Sequence, residues 1–140
     1  MRTAVRLLTF AALAAALPAW SAWEELRKND STRLSIDPGS IRKRGDEVAF
    51  KYLVDFRQTQ GDFKTAQYRS LTVKAAIRCK PRMIALRETE VFAGNEGKGP
   101  AAGVMKPTRE ESRFKKIEEG TSDEELFQRV CGRPAPQPRK

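Results

Sequence analysis

No histidine occurs among the 140 residues of this chain, and that absence excludes more chemistry than any motif present supplies. Ser-His and Cys-His nucleophilic pairs are ruled out, as are imidazole-rich zinc and iron sites. Cysteine is scarce, with Cys79 and Cys131 alone. They lack the CxxC spacing that lowers a thiol pKa, so a redox-active pair is not expected. The single long apolar run, Leu7 to Leu17, is shorter than the about 20 residues a bilayer span requires, and no second one follows. The acidic stretch 118–125 lacks the regular oxygen-ligand spacing of a calcium loop. No metal or cofactor is therefore expected.

What the chain does have begins with an export signal. Arg2 and Arg6 precede the apolar run, and Pro18 with small residues follows it, the pattern of a secretory leader. Cleavage is expected after Ser21, with Ala19 three residues from the cut. That divides the chain into a signal peptide at 1–21, a single domain at 22–132 and an exposed proline-rich tail at 133–140. No thiol lies near the cut, so no lipid anchor is expected. Losing Arg2 and Arg6 without any acid takes the formal charge of +9 down by two, to +7. A basic exported domain attracts polyanions such as lipopolysaccharide, anionic lipid, heparin-like glycans or acidic proteins, rather than nucleic acid. In an oxidising compartment the two cysteines are expected to pair as a structural staple.

Period-two patterning is clearest from Glu47 to Gln58, where Val48, Phe50, Tyr52, Val54 and Phe56 share one face, which predicts a strand. Arg69 to Cys79 repeats it with Leu71, Val73, Ala75, Ile77 and Cys79, which points Cys79 into the core. Thr59 to Asp62 carries turn residues, so the two strands are expected to form an antiparallel hairpin. A shorter strand is read at Thr32 to Ile36, closed by Asp37, Pro38, Gly39 and Ser40, with Trp23 to Leu26 beside it. Met83 to Phe92 is strand-like. The stretch 94–107 holds four glycines and two prolines and reads as a long mobile loop, with a short strand at Val104 to Lys106. A last strand is read at Phe114 to Ile117. Ser122 as N-cap, with Glu125 three residues on, predicts a helix start. Phe127, Val130 and Cys131 form its apolar stripe, and Gly132 ends it. A helix of about two to three turns is marginal alone, so it is expected to lie on the sheet face presented by Leu71, Val73 and Ile77.

Three clusters are candidates for function. Arg42, Lys43 and Arg44, read as a turn before Gly45, are candidates for gripping an anionic partner. Arg78, Lys80 and Arg82 surround Cys79. Their simpler reading is as solvated turns. Glu88 and Glu90, two apart on one strand, project together as a paired carboxylate needs; their simpler reading is a solvated or edge position on a strand.

The order Trp23, Asp37 with Ser40, Ile41, Arg42 and Gly45, Tyr52 to Asp55, Ser70 to Lys74 leading into Cys79, and terminal Val130, Cys131 and Gly132 resembles the bacterial surface adhesin protein E family. The resemblance spans roughly Trp23 to Gly132. It implies an α+β, mainly antiparallel β fold of about six strands, with a C-terminal helix packed on one face and tied there by a disulfide. It also implies an exported, non-enzymatic binding protein, because family members bind host matrix and plasma proteins and can form homodimers. The alternatives are a periplasmic, envelope-associated structural protein and, third, a carboxylate-dependent hydrolase using Glu88 and Glu90. Location is expected to be the periplasm or the cell surface.

Overall fold

Apolar alternation becomes a meander of antiparallel strands in the computed structural model, which describes residues 23–61 and 67–132. The expected leader at 1–21, Asp62 of the expected turn and the expected tail at 133–140 lie outside the described residues. The strands are β1 (Glu24–Lys28), β2 (Thr32–Arg44), β3 (Glu47–Gln60), β4 (Tyr68–Arg78), β5 (Met83–Phe92) and β6 (Ala101–Met105). Each pairs with the next, and a two-residue β7 (Lys115–Lys116) lies against the start of β5. One helix, α1 (Ser122–Cys131), closes the fold.

Register places the apolar set on a single face. Val48 opposes Ile77, Phe50 opposes Ala75, Tyr52 opposes Val73 and Val54 opposes Leu71, while Leu34 and Ile36 of β2 oppose Val54 and Tyr52. Because side chains alternate across a strand, this register sends all of them to the helix side. Ile36, Ile77 and Ile84 are fully buried there, and Ile117 and Leu126 cover them. Burial also pushes the Tyr52 phenol up, with the Asp123 carboxylate adding to the shift. Cys79, just past β4, is bonded to Cys131 at the last turn of α1, with a Cα separation of 5.7 Å. The disulfide therefore ties the helix to the middle of the sheet, as the paired cysteines predicted.

Four details differ from the sequence reading. The cap of α1 is Thr121 rather than Ser122: the Thr121 hydroxyl accepts from Glu124 N at 3.4 Å, and the Glu124 carboxylate accepts from Gly120 N at 2.7 Å. The cap is the one expected shifted by one residue, with the return bond of the box taken from the Gly120 amide rather than from that of the cap residue itself. The residue that α1 buries most deeply is Leu126, 1% exposed, with Phe127 and Val130 beside it.

Strand β2 does not stop at Ile36. Its register jumps from Asp37 opposite Lys51 to Arg42 opposite Ala49, so Pro38 to Ile41 form a bulge, with Ile41 packed against the core. Asp37 Oδ1 accepts from Gly39 N at 3.0 Å. Ser40 Oγ donates to Asp37 O at 2.7 Å and accepts from Lys51 N at 2.8 Å. Side chains thus replace the ladder bonds lost at the bulge, and Arg42 to Arg44 continue the strand. The turn itself is Gly45 and Asp46, with Gly45 at φ +61°, a left-handed conformation that glycine adopts without strain. The fourth difference is the 94–107 stretch, which is pinned rather than free.

Candidate functional site: the open face of the sheet

One residue out of phase with the core, the same strands present a second face that no helix covers. At one end the segment 93–100 folds over it. Asp55 and Ser70, 4% and 0% exposed, are the anchors. Asp55 accepts from Arg33 Nη2 at 2.9 Å, Glu96 N at 2.6 Å and Asn95 Nδ2 at 3.3 Å. Ser70 Oγ donates to Gly94 O and accepts from Gly97 N. Burying a carboxylate and a hydroxyl is tolerable because both are hydrogen-bonded. The Asp55 hydrogen bond, with Coulombic support from Asp55 and Glu96, in turn raises the Arg33 guanidinium pKa. Leu53, on this face, is 1% exposed beneath the same segment.

The other end is open. Ala49 and Ala76 are cross-strand partners, and their small side chains leave a recess of about 510 Å³ bordered by Arg42, Arg44, Lys51, Lys74 and Arg87. A second recess of about 350 Å³ shares Lys51 and Lys74 and reaches Trp23, Glu88 and Glu90. Lys51 Nζ lies 5.6 Å from the Trp23 ring centre, within cation–π range. Two carboxylates border the cations. Glu47 lies 3.3 Å from Arg78 and 3.9 Å from Arg87. Glu88 is held by Lys106 and by Lys74 at 3.0 Å. Among the described residues, no carboxylate is in salt-bridge range of Arg42, Arg44 or Lys51.

The structure redistributes the three clusters. Arg42 and Arg44 pair with Ala49 and Glu47 and so project onto the open face, whereas Lys43 pairs with Val48 and projects the other way. Arg78 and Arg82 also separate. Arg78 stacks 4.1 Å from the Phe114 ring centre and bridges Asp46 and Glu47; Arg82 stacks 4.7 Å from Phe127 and bridges Glu124 at 3.3 Å, bracing the helix. Glu88 and Glu90 share the open face, but hydrogen bonds from Lys106 and then Lys74 lower the Glu88 pKa, opposite to the shift a general acid needs. Lys51, Lys74 and Arg87 were not candidates from sequence. Their signal was the polar half of the alternation, which marks a face but not which members converge.

Among the described residues there is no group of three or more candidate metal-ligating side chains, and no helix long and apolar enough to cross a membrane. Residues 20–132 match the family model described as surface-adhesin protein E. No curated protein matches the chain in sequence. Solved structures that are similar include the selenomethionine form of Haemophilus influenzae protein E, at 18% identity and TM-score 0.61, covering 79% of this chain and 86% of that one. Crystal form II of the same protein matches at 18% identity and TM-score 0.62, over 79% and 87%. Protein E from non-typeable Haemophilus influenzae matches at 18% identity and TM-score 0.59, over 79% and 76%.

Proposed function

The chain belongs to the surface-adhesin protein E family, and from that membership we propose that it is an exported, non-enzymatic binding module whose open sheet face meets acidic surfaces of extracellular or envelope proteins. The observation that carries the choice of face is the convergence of Arg42, Arg44, Lys51, Lys74 and Arg87, from β2, β3, β4 and β5, around one shallow recess. Arginine forks suit carboxylates in a bidentate way. Their placement in a wide, exposed groove gives fast, salt-sensitive association rather than deep enclosure of a small molecule. The leader at 1–21 delivers the domain to the periplasm or beyond, and cell fractionation locates it.

The test is capture from the compartment where the mature protein is found. Bound partner is expected to fall as salt rises, and Arg42→Glu with Arg44→Glu is expected to weaken capture about tenfold while shifting stability by no more than about 0.5 kcal/mol. Unchanged capture by that double variant overturns the assignment of the face. Confinement to the periplasm with no extracellular partner favours the envelope-associated role instead. Hydrolysis that disappears in a Glu88→Gln, Glu90→Gln double variant overturns the non-enzymatic reading.

A further inference from the structure

The sheet has two free edges, and they are built differently. β1 reads Glu-Glu-Leu-Arg-Lys, carries a register irregularity between Glu25 and Arg27, and is tied to α1 through Glu24 with Arg129 and Arg27 with Glu125. Charge and irregularity are the devices that keep a sheet edge from recruiting another strand. β6 has neither charge nor proline in Ala-Ala-Gly-Val-Met, and its register irregularity falls at Ala102, before Gly103, Val104 and Met105 resume regular pairing. Val104 and Met105 on it, 55% and 50% exposed, are the exposed large apolar side chains among the described residues. They pair with Glu90 and Thr89 respectively, so they project from opposite faces of the sheet. A ligand lying on either face covers one of them; a strand laid along the edge covers both.

We propose that β6 is a docking edge, to which an extended segment of another protein adds as a further strand, apolar at its centre and acidic at its ends. Edge addition satisfies the outward main-chain groups of β6 and the ligand's own backbone together, and the alternate side chains supply selectivity. Lys98 and Lys106 stand at either end of the uncharged strand, each 72% exposed although each also touches a carboxylate, Glu96 and Glu88. Acidic flanks complement those two lysines. A second copy paired antiparallel about Gly103 instead brings further lysines toward the same ends, between two bodies whose formal charge is +7 each once Arg2 and Arg6 are lost from the +9 of the full chain, which opposes association. The proposal rests on the reading of this chain as a binding protein, but it uses a different surface from the cationic recess.

The probe is a labelled synthetic peptide, Asp-Glu-Val-Thr-Val-Thr-Val-Glu-Asp, titrated with the purified processed protein by fluorescence anisotropy. Saturable binding is expected, about tenfold weaker for Val104→Lys with Met105→Lys, and about tenfold weaker for a peptide N-methylated at alternate amides on its pairing edge. Both substituted residues are exposed, so an unchanged melting temperature is expected to accompany the loss. A peptide with lysine in place of its acidic ends is expected to bind more weakly. Arg42→Glu with Arg44→Glu is expected to leave peptide binding intact, which separates failure of this edge from failure of the open-face assignment. Equal binding by the N-methylated peptide, unchanged binding by the Val104 and Met105 variant, or no binding up to about 1 mM peptide overturns the proposal. So does a dimer seen by sedimentation that the same two substitutions dissolve, since the occupant is then a second copy.

Discussion

Along β3 and β4, neighbouring residues meet opposite conditions. Phe50, Ala75 and Ile77 lie under α1, sealed by Leu126 and Ile117. One residue away, Ala49, Lys51 and Lys74 line an open recess. Anchoring is concentrated on the first face, where the disulfide, a packed apolar cluster and four ion pairs hold the helix. The second face is closed at one end where Asp55 and Ser70 pin the 93–100 segment, and Phe114 stacks on Arg78 and Arg87 at the other. Segregating these tasks lets cations collect on one side of a sheet whose folding energy comes from the other.

Removing the tether tests that division most severely. Cys79 and Cys131 close a loop of 52 residues, worth about 4 kcal/mol in the chain-entropy model, a large share of the roughly 5–15 kcal/mol net stability of a typical domain. Cys79→Ala with Cys131→Ala is expected to lower the free energy of unfolding measured by urea denaturation by an amount of that order, and amide exchange is expected to accelerate first in α1. If protection is lost first on the 93–100 segment, the helix side is not where the tether acts.

A smaller effect is expected from the anchor of the second face. Asp55→Ala strips partners from Arg33, Asn95 and the Glu96 amide, and losing hydrogen bonds to one charged group is worth about 2 kcal/mol. Exchange is expected to rise at residues 93–98 while α1 stays protected. Equal acceleration in both regions would mean that the two faces unfold as one unit.

The strand pattern, the staple and the helix were legible because each rests on local rules: alternation from Val48 to Phe56, an acidic first turn, a glycine after Cys131. The errors have a common cause in side chains replacing backbone. Pro38 and Gly39 signal a strand end by propensity, yet Asp37 and Ser40 carry the strand past them. The glycines of 94–107 signal mobility, yet the segment docks on Asp55 and Ser70, polar residues that alternation places on the solvent side. The cationic recess was only partly visible for a similar reason. Arg42 and Arg44 stood out as a run, whereas Lys51, Lys74 and Arg87 join them through register, and register is not written in any one strand.

The smallest effect belongs to Glu24 and Arg129, which clamp β1 to α1 at 2.8 and 3.0 Å. A hydrogen bond from Arg129, aided by its charge and opposed by slight burial, lowers the Glu24 pKa from 4.5. A carboxylate lowered on folding contributes stability that is fully present above its unfolded pKa and is lost as pH falls through the folded value. The pair is exposed, 36% and 43%, so its contribution is expected to be under about 1 kcal/mol. Urea denaturation of the parent and of Glu24→Gln should therefore differ slightly near neutrality and converge in the acid range below pH 4.5. A gap that instead widens on acidification would assign the clamp to another group and would make β1 part of the apolar face rather than an edge held by charge.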